Sequence, residues 1–350
     1  MTKWQGSISR RQALYGLSAL GGAAALSAAP GASLIISAKA AAHMTSVNMQ
    51  LGWLASNGIL GEVVAKREGF MEEEGVNLNI TPGGPGVDGV ASVAAGRAEL
   101  GQLSSSPSLM LARSAGIPVK AFAAGYQKHP FTYYSLADNP IREPKDMIGK
   151  TIATQPTAVI LLRALLAAND ISEDDVEVVN MGADMNQLLT GQSQAVTGWL
   201  TNTNALKILG DDRVDLMLWD TGIQLYANVF YTTDDMLADN QDTLVSFLTA
   251  SARGWGWAKE NPEAAVDHLV AEYPNLDKAS EMDAVGPVLG FSFDETTAEH
   301  GWGAMNADNW AAQIETYAAL DQFEGDTPTV DDVMTLAILD ATEEIRKEVG

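Results

Sequence analysis

Residues 47–102 read VNMQLGWLASNGILGEVVAKREGFMEEEGVNLNITPGGPGVDGVASVAAGRAELGQ. Val47, Met49, Leu51 and Trp53 alternate with polar residues or glycine, the period of a strand. Residues 60–73 carry a helical period, Gly75 stops the helix, and Val76, Leu78 and Ile80 alternate again. The PGGPG run then turns the chain into a second helix, and residues 100–103 give a short third strand. Strand, helix, strand, glycine turn, helix, strand is the grammar of a parallel α/β sheet. Ligands of such sheets lie outside the carboxyl ends of the strands. Residues 53–58, 83–86 and 104–106 are therefore expected to open on one crevice.

Outward from this stretch the same grammar recurs. A strand over residues 119–126 follows the turn at Gly116-Ile117-Pro118, and the strand around Tyr133 is read as leaving the first lobe, with Asp138-Asn139-Pro140 marking the crossing. Beyond it, strands are predicted over 150–154, 176–180, 195–200 and 215–219, with helices over 157–169 and 184–191 between them. The alternating run 226–232 is read as the return to the first lobe. From 234 onward the pattern is helical, over 237–260, 262–272, 302–323 and 330–349, with Pro262 at a helix start. A chain of 350 residues exceeds what one hydrophobic core normally organises, which favours two lobes.

Composition narrows the function classes. The net charge is −24, and residues 1–40 contain Lys3, Arg10, Arg11 and Lys39 but no acid, so the rest of the chain is more acidic still. Such a surface repels nucleic acid and anionic membrane. Without cysteine the chain has no disulfide, thiolate metal site, cysteine nucleophile or lipid attachment through Cys. The histidines (His43, His129, His268 and His300) are scattered without metal-ligand spacing, and no G-x-S-x-G nucleophile motif is present. Neither catalysis nor a cofactor is expected. Gly84-x-Gly86-x-x-Gly89 has a dinucleotide-binding spacing, but no acid follows at the distance that would hold a ribose, so it is read as a tight turn.

The candidate ligand-binding residues follow from the strand ends. Trp53 and Asn57 follow the first strand, and Ser105 and Ser106 lie in a cap-and-proline sequence after the third. Thr154 and Thr157 occupy the equivalent place in the second lobe, and Trp199 and Asn202 close another strand there. One tryptophan from each lobe, flanked by small polar residues, suits a flat heterocycle held between the lobes. Tyr126, Tyr226 and Asn228 stand beside the crossings.

The segments AKREGFMEEEGV (65–76) and VAAGRAELG (93–101), in this order after a strand ending near an aromatic, resemble the first lobe of periplasmic solute-binding proteins of ABC importers. The branch is the one that includes thiamine-pyrimidine, sulfonate and nitrate binders, and the similarity runs through most of the mature chain. The resemblance implies an α/β, two-lobed type II periplasmic binding fold, with parallel-rich sheets, helices on both faces and two hinge crossings. The expected division is a signal peptide over 1–40, lobe 1 over 41–137 and again over 229–350, and lobe 2 over 138–228. Ser9-Arg10-Arg11 resembles a twin-arginine export motif and Ala38-Lys39-Ala40 a cleavage site, which implies a periplasmic location. The implied partners are a small-molecule ligand and an ABC permease with its ATPase, and the protein is expected to be a monomer. The implied ligand is a thiamine-precursor pyrimidine or similar aromatic nitrogen heterocycle, although Gly198 to Leu206 lacks the carboxylate that pyrimidine binders tend to offer. Riboflavin-like and small sulfonate or nitrate ligands stay open, as does an enzyme resembling a thiamine-pyrimidine synthase.

Overall fold

The computed structural model describes residues 44–84 and 87–350. The segment expected to be an export signal, His43 and the Pro85-Gly86 part of the glycine turn lie outside the described residues. Ten strands form two five-stranded sheets. The first contains β1 (Thr45–Leu51), β2 (Val76–Thr81), β3 (Leu100–Ser105), β4 (Val119–Tyr126) and β10 (Ala227–Thr233), in the order β2-β1-β3-β10-β4. The second contains β5 (Phe131–Leu136), β6 (Thr151–Thr154), β7 (Glu177–Asn180), β8 (Ala195–Trp199) and β9 (Arg213–Met217), in the order β7-β6-β8-β5-β9.

Each sheet is parallel except for one strand. β10 runs antiparallel between β3 and β4, and β5 runs antiparallel between β8 and β9. These two strands enter their sheets from the other lobe, so each begins at the edge where its neighbours end. The carboxyl ends of the parallel strands and the starts of the two crossing strands consequently meet at one crevice. This is the two-lobed architecture of periplasmic binding proteins.

The position of β5 corrects the predicted division. The sequence reading puts residues 131–136 in the first lobe, but they pair with β8 and β9, and the chain crosses at 127–130 rather than at Asp138-Asn139-Pro140. Every residue from Phe131 to Ser135 is buried, as in a central strand, and burial alone does not tell which sheet a strand joins. The helix read over 60–73 is also two pieces, Leu60–Arg67 and Phe70–Glu73, because Gly69 between them takes φ +85°. A helix absent from the sequence reading, Lys278–Ser292, packs against both lobes.

The first lobe has the larger core. Trp255 and Trp302 stack at 5.7 Å, and Phe122, Phe230 and Phe247 pack with centroids 5.9–6.4 Å apart. Trp255, Trp302 and Trp310 are buried, Trp257 is half-buried against the same core, and Trp302 stands in a turn rather than in a helix. No described helix is long and apolar enough to cross a membrane.

Candidate functional site

The loop after β1 supplies the first wall. It turns through Asn57–Ile59 into the Leu60–Arg67 helix, and two side chains fix it by donating to the same carbonyl. Gln102 Nε2 and Asn228 Nδ2 reach the Gly58 oxygen at 3.1 and 3.2 Å. Asn228 adopts φ +50°, a left-handed conformation that asparagine tolerates and that this hydrogen bond holds in place. Trp53 stands half-buried on the same loop, and its carbonyl accepts from the Gly83 amide at 2.9 Å. A Cβ on Gly83 would lie 2.2 Å from the Leu51 carbonyl, so only glycine permits this approach of the two strand ends.

Asn57 is 3% exposed, and its Nδ2 donates to the backbone oxygen of Glu281 at 3.3 Å and to the Glu281 carboxylate. That contact fixes the amide orientation and leaves Asn57 Oδ1 buried without a partner. Ser105, 7% exposed, sits at the N-cap of the Ser106–Ser114 helix but makes no cap bond, and its Oγ is likewise buried and unpartnered. Ser106 is committed to packing: its hydroxyl donates to Gln313 Oε1 at 2.5 Å and accepts from the Tyr226 amide at 3.2 Å. Tyr226 accepts through its hydroxyl from the Asn306 amide at 3.2 Å, and burial pushes its pKa up to about 12.

The second lobe brings Trp199 to the junction. Its ring lies 5.9 Å from that of Tyr126 at the end of β4 and 5.5 Å from the edge-on ring of His129 in the crossing. Tyr126 in turn meets Phe291 of the Lys278–Ser292 helix at 6.1 Å. Tyr126 from the first lobe, rather than Trp53, is thus the ring that faces Trp199. Thr154 Oγ1 is buried and accepts from Thr197 at 2.8 Å, whereas Thr157 and Asn202 are exposed at their loops.

Burial sets the protonation of the site. His129 is buried, and loss of hydration lowers its pKa to about 3, so the imidazole is neutral at physiological pH. Its Nδ1 accepts from the Phe131 amide at 3.2 Å, which assigns the proton to Nε2, where it has no partner. Burial raises the Tyr126 hydroxyl well above the usual tyrosine range, with the nearby Glu62 adding to the effect, and it stays a neutral phenol. Glu62, fully buried, is raised to about 8 by desolvation; Trp255 Nε1 donates to its Oε1 at 3.0 Å and Oε2 has no partner. The half-buried Glu281 is raised by the same cause.

The loops at residues 53–58, 104–106, 154–157 and 199–204 contain no lysine or arginine. Lys207 of the second lobe is paired with Asp283 of the Lys278–Ser292 helix. A cavity of about 330 Å³ lies beside the crossing, lined by residues that include Lys128, Trp219 and Phe291. Among the described residues no cluster of His, Asp and Glu is suited to a metal ion. The sequence reading missed Glu281, Phe291 and Glu62.

Two lobes meeting at strand ends, with aromatic walls and unpartnered buried polar atoms between them, define a small-molecule-binding protein fold. Residues 56–265 match the family described as NMT1/THI5 like, more than half of the chain, and the protein belongs to that family. It is similar to a formylaminopyrimidine-binding protein of Halalkalibacterium halodurans, with 24% identity over 80% of this chain and 87% of the relative. It is also similar to the riboflavin-binding protein RibY of Chloroflexus aurantiacus, with 26% identity over 60% of this chain and 62% of that protein. Among solved structures, the alkanesulfonate-binding protein SsuA of Xanthomonas axonopodis pv. citri, bound to MOPS, shares the fold with a TM-score of 0.63. Their identity is 16%, over 84% of this chain and 100% of that one.

Proposed function

We propose that the protein is the periplasmic substrate-binding component of an ABC-type importer, and that it captures an aromatic nitrogen heterocycle of the thiamine-precursor pyrimidine class without transforming it. The observation that carries this reading is the junction of Tyr126 and Trp199, one ring from each lobe, with His129 and its unpartnered Nε2 against the Trp199 ring. Aromatic faces bind a flat ring, and a few placed polar atoms fix its orientation. In this reading the segments 127–130 and 218–226 are the hinge, and the ligand favours the shut form because only there do both lobes touch it. Residues 1–40 then serve as a twin-arginine export signal, and a permease with its ATPase takes the cargo.

Riboflavin is the second reading, supported by the similarity to RibY. Sulfonates are the less favoured reading: Lys128 lines the cavity beside the crossing, but the loops at 53–58, 104–106, 154–157 and 199–204 supply no cation and Glu281 lies against Asn57. A thermal-shift screen of the mature protein tests the proposal with formylaminopyrimidine, riboflavin and an alkanesulfonate. At a hundredfold excess over its dissociation constant the cognate ligand should stabilise the protein by about 2.7 kcal/mol. The pyrimidine is expected to give the largest shift and to be recovered chemically unchanged. A shift with the sulfonate alone, or conversion of the ligand on incubation, would refute the reading.

A further inference from the structure

The Lys278–Ser292 helix reaches from the loop after β1 to the end of β4. Near its start Lys278 pairs with Asp267 of the Pro262–Glu272 helix at 2.5 Å, and Glu281 takes the side-chain amide of Asn57. Near its end Phe291 meets Tyr126, with ring centroids 6.1 Å apart. Both ends are thus fastened to the first lobe. Between them Asp283 is paired with Lys207 of the second lobe, and the helix packs on the short Thr203–Leu206 helix of that lobe.

The middle of this helix is weak by composition. Pro287 has no amide for the carbonyl of Asp283 one turn back, so the backbone ladder is interrupted at the residue whose side chain grips the second lobe. Gly286 and Gly290 flank the break. Neither takes a positive φ, and a Cβ at either would meet open space, so neither backbone geometry nor packing demands glycine there. Each makes the helical state about 2- to 5-fold less favourable than alanine would. A helix fastened at both ends and broken in the middle depends on what presses on the middle. In the structure that support comes from the second lobe, through Lys207 and the Thr203–Leu206 helix.

We propose that the Lys278–Ser292 helix is a jointed strap across the crevice: the second lobe braces it at Asp283, and opening of the lobes removes the brace, loosens residues 286–290 and lets the ligand pass. The inference rests on the opening and closing of the lobes proposed above, and not on which ligand they hold. Lys207 and Asp283 are both exposed, so the brace can be removed without disturbing a core.

Hydrogen–deuterium exchange of the ligand-free protein, read by mass spectrometry over 284–292 with the Pro262–Glu272 helix as internal reference, is the test. In wild type the 284–292 amides should exchange at least about 10-fold faster than the reference, as a locally opening segment does. Lys207→Glu leaves the sequence of the helix intact and should speed exchange over 284–292 alone, by about 3- to 10-fold, the scale of losing an exposed ion pair and gaining a repulsion. Lys207→Met should give a smaller increase of up to about 5-fold, and it serves if the reversal does not fold. Gly286→Ala combined with Gly290→Ala should slow exchange by about 5- to 25-fold. In stopped-flow mixing with formylaminopyrimidine the same double variant should associate and dissociate more slowly by a similar factor, with Kd kept within about 3-fold. Exchange over 284–292 as slow as in the reference, or indifferent to both Lys207 substitutions, would overturn the strap, as would unchanged association and dissociation rates in the double variant. If wild type contracts on binding but exchange ignores Lys207, the strap falls and the binding function stands. If wild type does not bind formylaminopyrimidine, the proposed ligand falls, and the response of exchange to Lys207 decides the strap by itself.

Discussion

Glu62→Gln is expected to stabilise the protein by an amount that grows with pH, from near zero below pH 4.5 to on the order of 5 kcal/mol above pH 8. Glu62 lies in the Leu60–Arg67 helix, fully buried, with Trp255 Nε1 as the donor to one oxygen. Desolvation lifts its pKa from 4.5 to about 8, so the folded protein keeps a proton that the unfolded chain releases across this window. Stability is therefore complete below the unfolded value and is lost progressively as pH rises to the folded one. Glutamine presents the same acceptor to Trp255 and cannot ionise.

His129 works in the opposite sense. Its pKa is lowered from 6.5 to about 3, so it withdraws stability as pH falls through that interval. The two effects overlap in mild acid, but His129 is common to both proteins and cancels in their difference. Urea unfolding of the two proteins at pH 4.5, 6 and 8 measures that difference directly. Parallel stability curves would show that Glu62 titrates normally and that its surroundings are wet.

Gly254→Ala is expected to cost about 3 kcal/mol or more, the upper end for forcing atoms into a packed interior. The Leu60–Arg67 and Gln241–Glu260 helices cross at Gly61 and Gly254. A Cβ on Gly254 would stand 2.0 Å from the Gly61 carbonyl oxygen, and one on Gly61 would stand 2.0 Å from Trp255. Backbone is the obstacle in the first case, so no side-chain rotation relieves it. The effect reaches the crevice, because the displaced helix begins at the Asn57–Ile59 turn. Gly290→Ala is the control: the space around it is open, and replacing a helical glycine there should gain about 0.5–1 kcal/mol. Equal stability of the Gly254 and Gly290 variants in denaturant melts would contradict the close crossing.

The strand–helix grammar of both lobes was legible because alternation and helical period switch cleanly at Gly75, Gly116 and Asn261-Pro262. Parallel topology then brought Asn57, Ser105, Tyr126, Trp199 and Asn228 to neighbouring strand ends without any knowledge of the loops. What escaped the sequence has identifiable causes. The Lys278–Ser292 helix carries Gly286, Pro287 and Gly290, residues that normally disrupt helices, and it is held by packing rather than by propensity. Missing that helix meant missing Glu281 and Phe291. Glu62 reads as one more surface acid in a helical run, and only the fold shows Trp255 covering it. The membership of β5 was hidden because a strand inserted antiparallel, from the far lobe, carries no local mark of its sheet.

Small-angle X-ray scattering, with and without saturating formylaminopyrimidine, tests most directly whether two lobes close on a small solute. The ligand-free protein should give the larger radius of gyration, and the complex the smaller one. Superimposable profiles, with calorimetry showing the ligand bound, would contradict capture by closure.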